Sequence, residues 1–284
     1  MNLHVCGGRA GAELGARSGL ITVVVDALRA SATTASLLHY GAKRIIVVEG
    51  VEQAFAEAAR QPDSMLVGER GCLKVEGFDL GNSPLQQSPP HLQPTIVFSS
   101  SNMSRCCVAA AGAPAALLGT TVTAVACARL ALHEARSRQA DVLFVPAGAA
   151  GKEHLFVLED YIACGAVIAR LLRLGGEAVE LADDASRAAL DLYYTAEARS
   201  LEATFLDTAN GSFLCAQGFE ADVRFAARLD VLATVPRITE TYTNTSQWIT
   251  GRRKARMSPH RVPRIMPPPM PSRVIWAVIW APCT

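Results

Sequence analysis

The sequence predicts a layered α/β/α fold on a mainly parallel or mixed sheet, with a helix-rich C-terminal half and an irregular C-terminal tail. Three observations predict it. Short apolar runs rich in Val and Ile alternate with stretches of helical spacing up to about residue 150. Helical periodicity dominates from residue 157 to about 230. At Ser246 the composition breaks. Half of the 284 residues are apolar and 19% are charged, enough to cover both faces of a buried sheet.

Taken in order, "ITVVVD" (21–26) reads as a strand and "RASATTASLLHYGA" (29–42) as a helix closed by glycine. Next come strand "RIIVVE" (44–49), helix "VEQAFAEAAR" (51–60) and strand "SMLVGE" (64–69). A charged, glycine-rich loop fills 68–84. Strand "PTIVFSS" (94–100), helix 102–112, strand 115–120, helix 121–137 and strand 141–148 complete the alternation. Three helical stretches follow, 157–176, 183–207 and 212–230, and "VLATVP" (231–236) is placed to close the sheet.

The chain divides into an α/β body, residues 1–245, and a tail, 246–284. The tail carries seven Lys/Arg and no Asp/Glu, all three tryptophans and seven of the 15 prolines. That leaves a body of 20 basic and 26 acidic residues, net −6, which argues against a nucleic-acid binder. "PRIMPPPMPSR" suits neither helix nor central strand, and the eight apolar residues of "VIWAVIWA" are too few to span a bilayer. The tail reads as a disordered or loosely attached appendage, a basic arm for an acidic partner or membrane surface, or an out-of-frame end. The first is favoured, so its deletion is expected to leave melting temperature and activity near full-length values.

No secretory signal and no transmembrane helix are expected. The eight cysteines form no CxxC and no zinc-ligand spacing, which suits free thiols in the cytoplasm. Self-association into a homo-oligomer is left open.

Parallel sheets bind ligands at the carboxyl ends of their strands. There the sequence places Asp26 with Arg29 and Ser31, Glu69 with the 68–84 loop, Ser99 to Asn102 with Arg105, Gly119 to Thr121, and "PAGAAGK" (146–152). Acids at strand ends suit Mg²⁺, which takes a few carboxylates plus waters and substrate oxygens. Arg29, Arg105, Arg70 and Lys74 suit anionic oxygens. Together they suggest phosphoryl chemistry. Each residue also has a local reading: Asp26 and Ser99 to Asn102 as helix caps, Glu69 as an ion-pair partner, and Glu159 and Asp160 as helix neighbours splayed roughly 100° apart.

"VVVDALRASATT" together with "GERGCLKVEGFDLGNSP" resembles the 2-phosphosulfolactate phosphatase family, Mg²⁺-dependent hydrolases of coenzyme M biosynthesis. The family pattern D-V-L-R-A-S-T-T falls on Asp26 to Thr34, and G-E-R-G-G-x-K-x-x-G-F-D-x-G-N-S-P on Gly68 to Pro84. T-N-G-T-R matches at Asn102 to Arg105, and the E-D pair at Glu159 and Asp160. "GFEADVRFAARLDVLATVP" is similar to the family's closing segment, with an Asp at 222, so the resemblance spans roughly residues 1–240.

Within that resemblance we assign the roles from residue type and place: Asp26, Glu69, Asp79 and Asn102 to catalysis, and Asp26, Glu69, Asp79, Glu159 and Asp160 to Mg²⁺. Arg29, Ser31, Arg70, Lys74, Asn82 and Arg105 are assigned to hold a small anionic phosphoester, which the resemblance implies is 2-phosphosulfolactate becoming 3-sulfolactate. A different small phosphorylated acid, or a non-catalytic anion-binding homologue, are the alternatives. Two departures stand out: Cys72 and Met103 occupy positions where the pattern has glycine. Met103 is expected to add bulk at the site and to narrow or change substrate preference.

Overall fold

The computed structural model describes residues 1–86, 92–152, 155–243 and 273–280. In chain order these form β1 (Asn2–Val5), α1 (Gly8–Ser18), β2 (Ile21–Val25), α2 (Ala30–His39), β3 (Arg44–Val47), α3 (Val51–Ala58), β4 (Ser64–Arg70) and β5 (Leu73–Lys74). Then follow β6 (Thr95–Ser99), α4 (Met103–Ala110), β7 (Ala116–Gly119), α5 (Ala124–Arg138), β8 (Val142–Pro146) and α6 (Leu158–Gly175). The C-terminal part adds β9 (Glu180–Leu181), α7 (Asp184–Arg199), α8 (Leu201–Asp207), α9 (Ala209–Ala216), α10 (Glu220–Ala226), β10 (Val235–Thr243) and β11 (Arg273–Trp280). No helix among the described residues is long and apolar enough to cross a membrane.

The strands make one mixed sheet in the order β5-β4-β6-β3-β11-β10-β7-β2-β8-β1-β9. β4, β6 and β3 pair in parallel, as do β7, β2, β8, β1 and β9. Three successive antiparallel pairings separate the two groups, β3 with β11, β11 with β10, and β10 with β7.

Side chains alternate across a strand. In β2, Ile21, Val23 and Val25 join the core under α5, α6 and α7, while Val24 joins the core under α1, α2 and α4. β8 repeats this, with Val142 and Phe144 on one face and Leu143 and Val145 on the other. A strand buried on both faces is apolar at nearly every position, which is why these runs stand out in the sequence; in β2 the polar Thr22 satisfies its hydroxyl on Leu20 O. The expected α/β/α layering is the observed one.

The expected strand at 231–236 becomes β10, shifted toward the C-terminus. β1 and α1 are additions that the sequence reading did not contain. The expected single helix over 183–207 is two, because Ser200 (φ 143°) ends α7 and caps α8 by accepting Ala203 N–H.

Over 273–280 the described part of the tail forms β11, which pairs on both sides, Ile275 to Val278 against Val47 to Arg44 and Arg273 to Trp280 against β10. The physical reason is composition: Val, Ile and Trp in sequence favour a strand, and the two neighbours each offer an open edge. The remainder of the tail lies outside the described residues. A chain ending at Thr243 should therefore melt at least ~5 °C below the full chain, by the usual scaling of stability with Tm. Equal melting temperatures in circular dichroism would show that the sheet does not need this strand.

Candidate active site

β2 ends at Val25, so Asp26 sits at the carboxyl end of the strand, almost fully buried. Its N–H donates to Ser31 Oγ (3.0 Å). Its carboxylate accepts Ala30 N–H at Oδ1 (3.1 Å) and Met103 N–H at Oδ2 (3.2 Å). The second bond comes from α4 and ties the end of β6 to the end of β2. Burial pushes the Asp26 carboxyl up to about 6, helped by the charges of Glu69 and Glu159 and opposed by the two N–H donors.

Gly68 brings the next group in. Its φ is 153°, and a Cβ there would lie 2.0 Å from Ser99 O, so only glycine lets β4 run this close to β6. Glu69 consequently accepts Ser101 N–H (2.7 Å) at Oε1 and Cys72 N–H (3.0 Å) at Oε2. Buried Arg29 donates from Nη1 to Asp222 Oδ2 (2.7 Å) and from Nη2 to Cys72 O (2.6 Å). The Phe219 ring lies 4.0 Å from its guanidinium carbon, and Ser83 Oγ donates to the other Asp222 oxygen (2.6 Å). Arg29 is thereby fixed in orientation by two separate segments, with Ser83 holding Asp222 in place.

These groups meet at a cavity of about 320 Å³. Its polar wall includes Asp26, Glu69, Arg29, Asn102, Asn82 and Lys152, with Phe213 and Leu214 among its apolar lining. Asn102 Oδ1 accepts Ala150 N–H (2.8 Å), which joins the α4 end to the loop after β8. Asn82 is nearly buried, and among the described residues its Oδ1 has no hydrogen-bond partner.

Several expected site residues stand elsewhere. Ser31 is buried beneath Asp26, and its Oγ accepts the Asp26 N–H, so it shapes the turn and does not reach the cavity. Arg70 donates to Glu69 O (2.5 Å), Ser99 O (3.2 Å), Ser99 Oγ (2.8 Å) and Glu49 O (2.8 Å). It pins the carbonyls of Glu49, Glu69 and Ser99 where the ends of β3, β4 and β6 converge. Asp79 accepts Leu66 N–H (2.7 Å) at Oδ2. Asp79 and Lys74 line a separate cavity of about 280 Å³, which shares Asn82 with the first. Arg105 lines a third, of about 340 Å³.

Asp160 accepts Ala27 N–H (2.8 Å) and Gly148 N–H (3.1 Å), clamping the ends of β2 and β8 together. Glu159 accepts Asn210 Nδ2–H (2.9 Å). Both stand behind the cavity wall, and burial raises the pKa of each, Asp160 well above the usual carboxylate range. Among the described residues no three His, Cys, Asp or Glu side chains form a group that could hold a metal. Of the five expected metal ligands, Asp26 and Glu69 reach the cavity.

The chain matches the family described as 2-phosphosulpholactate phosphatase over residues 11–241. It belongs to that family. A relative from Carboxydothermus hydrogenoformans, named "Probable 2-phosphosulfolactate phosphatase", is 34% identical over 214 residues, 75% of this chain and 84% of the relative. Relatives of the same name come from Caldanaerobacter subterraneus, 32% identical over 79% of this chain and 90% of the relative, and from Synechococcus, 34% identical over 75% and 87%.

Within this family frame the two glycine departures have different consequences. Cys72 has φ 70°, the left-handed region that glycine tolerates best, and it lines the cavity. Met103 differs from the expected obstruction: its side chain is fully buried in the core under α4, and only its N–H faces Asp26. Helix α4 points the side chain away from the cavity, so the added bulk is absorbed by packing.

Four further residues complete the site: Asp222, Ser83, Asn210 and Lys152. Lys152 ends the "PAGAAGK" loop already placed at a strand end. Ser83 belongs to the "GNSP" of the charged loop. Nothing local marks Asp222 or Asn210, which lie on short helices.

Proposed function

We propose that the chain is a Mg²⁺-dependent phosphatase of a small anionic phosphoester, hydrolysing 2-phosphosulfolactate to 3-sulfolactate and phosphate in the coenzyme M pathway. The observation that carries the reading is one cavity holding two buried carboxylates, Asp26 and Glu69, beside Arg29 and Lys152. Phosphoryl transfer needs this pairing, since catalysis is mostly positioning and neutralisation of charge.

The donors fit Mg²⁺. Asp26 and Glu69 present only hard oxygens; both Asp26 oxygens and Glu69 Oε1 accept one N–H each and keep a second lone pair, while Glu69 Oε2 accepts both Cys72 N–H and Ser101 Oγ–H. The Asp26 pKa near 6 marks negative charge buried without a sufficient counter-charge, and Arg29 is committed to Asp222. Mg²⁺ commonly takes one or two carboxylates and completes its shell with water and substrate oxygens, so two protein ligands suffice. When bound it would neutralise phosphate charge.

The protein's own part is to hold the ester. Arg29, aimed by Asp222 and stacked on Phe219, offers its remaining N–H groups to the phosphate oxygens. Lys152 adds a mobile point charge from the opposite loop. Hydrolysis breaks the P–O ester bond, adds a water oxygen to phosphorus and returns a proton to the departing alkoxide. The reading as a non-catalytic binder rested on Met103 blocking the site, and its side chain is in the core. The cytoplasm suits the free cysteines among the described residues.

Phosphate release from 2-phosphosulfolactate should vanish in EDTA and return with Mg²⁺. Full turnover in metal-free buffer would remove the metal from the proposal, and no release from any of a panel of small phosphoesters would remove the activity.

A further inference from the structure

The reaction cavity has a lining of two kinds. Asp26, Arg29, Glu69, Asn102 and Lys152 end or follow β2, β4, β6 and β8 and supply its charge and polarity. Its large apolar residues are Leu28, Phe213 and Leu214. The last two come from α9, where Asn210, Phe213 and Leu214 stand at i, i+3 and i+4 and so share one face. Asn210 ties that face to the site by donating to Leu28 O (3.3 Å) and Glu159 Oε1 (2.9 Å), and Leu214 is buried in the core. Phe213, on a helix anchored at both neighbours, is left 49% exposed.

A substrate that is ionic at every substituent, as 2-phosphosulfolactate is, has no surface to lay on this ring. Placing its anionic groups there would strip them of water without a compensating partner. A flat apolar group gains from the same contact, by burial of both surfaces and by offset or edge-to-face stacking.

We propose that this site also hydrolyses aryl phosphates, with the phosphate among the polar groups and the aromatic ring against Phe213. The inference rests on the phosphatase reading above and extends its substrate class. In the step, a water oxygen bonds to phosphorus and the P–O bond to the aryl group breaks. The aryloxide leaves with the electron pair and takes one water proton, while the other stays with the phosphate.

The probes are 1-naphthyl phosphate and 2-phosphosulfolactate, given separately to the full chain with Mg²⁺ present, with phosphate release as the readout. Wild type should hydrolyse both. Phe213→Ala keeps a strong helix former in α9, and circular dichroism checks its fold. It should lower kcat/KM on 1-naphthyl phosphate at least ~10-fold more than on 2-phosphosulfolactate, chiefly through KM. Phe213→Tyr keeps the ring and should stay within ~3-fold of wild type on 1-naphthyl phosphate. Release from 2-phosphosulfolactate with none from 1-naphthyl phosphate would overturn the proposal and leave the phosphatase reading standing. Equal losses on both esters in Phe213→Ala, or a loss in Phe213→Tyr as large as in Phe213→Ala, would also overturn it. No release from either ester would remove the phosphatase reading itself, and this proposal with it.

Discussion

Arg29→Ala should lower kcat/KM on 2-phosphosulfolactate by roughly 30- to 1,000-fold, the ~2–4 kcal/mol typical of losing one charge-assisted contact to a transition-state oxyanion. The guanidinium is buried, bonded to Asp222 and to Cys72 O, and backed by Phe219, so its direction is set before substrate arrives. Preorganisation of this kind supplies stabilisation without reorganisation during the reaction. Removing it also leaves Asp222 buried with only Ser83 as partner, which destabilises the fold. Arg29→Lys separates the two effects, because it keeps the charge for Asp222 and loses the forked geometry. Steady-state kinetics on both variants, with circular dichroism confirming folding, checks the assignment. Wild-type kcat/KM in a folded Arg29→Lys would show that the fork has no part in recognising the ester. Asp222→Asn should reproduce part of the loss, since it acts through Arg29 alone.

The parts of the fold visible in the sequence share one property. β2, β3, β6, β7 and β8 are buried on both faces, so each centres on a run of apolar residues that no helix period explains. β1 and α1 lack that mark. "NLHV" is too short to stand out, and "GRAGAELGARS" carries glycines that read as loop. Those glycines are in the helix because α1 lies against its neighbours without clearance. A Cβ at Gly11 would sit 1.8 Å from Cys6 O, and one at Gly15 would sit 2.2 Å from Thr22 Oγ1. Close packing overrode propensity, and only tertiary structure contains that information.

The site divides along the same line. Asp26, Arg29, Glu69, Asn82 and Asn102 were legible because a polar residue at a strand end or in a charged glycine loop has few structural excuses, and all five line one cavity. Ser31, Arg70 and Asp79 share that surrounding but serve the backbone, capping or pinning groups that tight turns leave unpaired. Sequence offers no means of telling a side chain that faces a ligand from one that faces a buried backbone group. Asp222 reaches Arg29 across 193 residues, and Asn210 reaches Glu159 across 51. Neither has a local pattern, and Asp222 was visible only through the family resemblance.

Asp26→Asn should cost on the order of 10²–10³-fold in kcat/KM, and the same side chain should make stability depend jointly on pH and Mg²⁺. The sign follows from its pKa. Asp26 titrates at about 6 in the folded chain against 3.8 without burial, so the folded state holds this proton more tightly. Its contribution therefore favours folding at low pH and is lost as pH rises through about 6. From pH 7.5 to 5.5, Asp26 alone should stabilise the metal-free protein by about 1 kcal/mol, or roughly 2–4 °C in Tm. Glu159 and Asp160, also raised by burial, act in the same direction. Mg²⁺ bound as proposed would favour the ionised carboxylate and so compete with the proton for one group. Saturating Mg²⁺ should raise Tm more at pH 7.5 than at pH 5.5, and the wild-type gain on acidification should shrink. In Asp26→Asn the Mg²⁺ effect on Tm should fall sharply at both pH values. Its amide nitrogen would meet either Ala30 N–H or Met103 N–H, donor against donor, so its metal-free Tm should also lie below wild type at pH 5.5. An Mg²⁺-induced Tm gain that is independent of pH, or one that survives intact in Asp26→Asn, would remove Asp26 from the metal site.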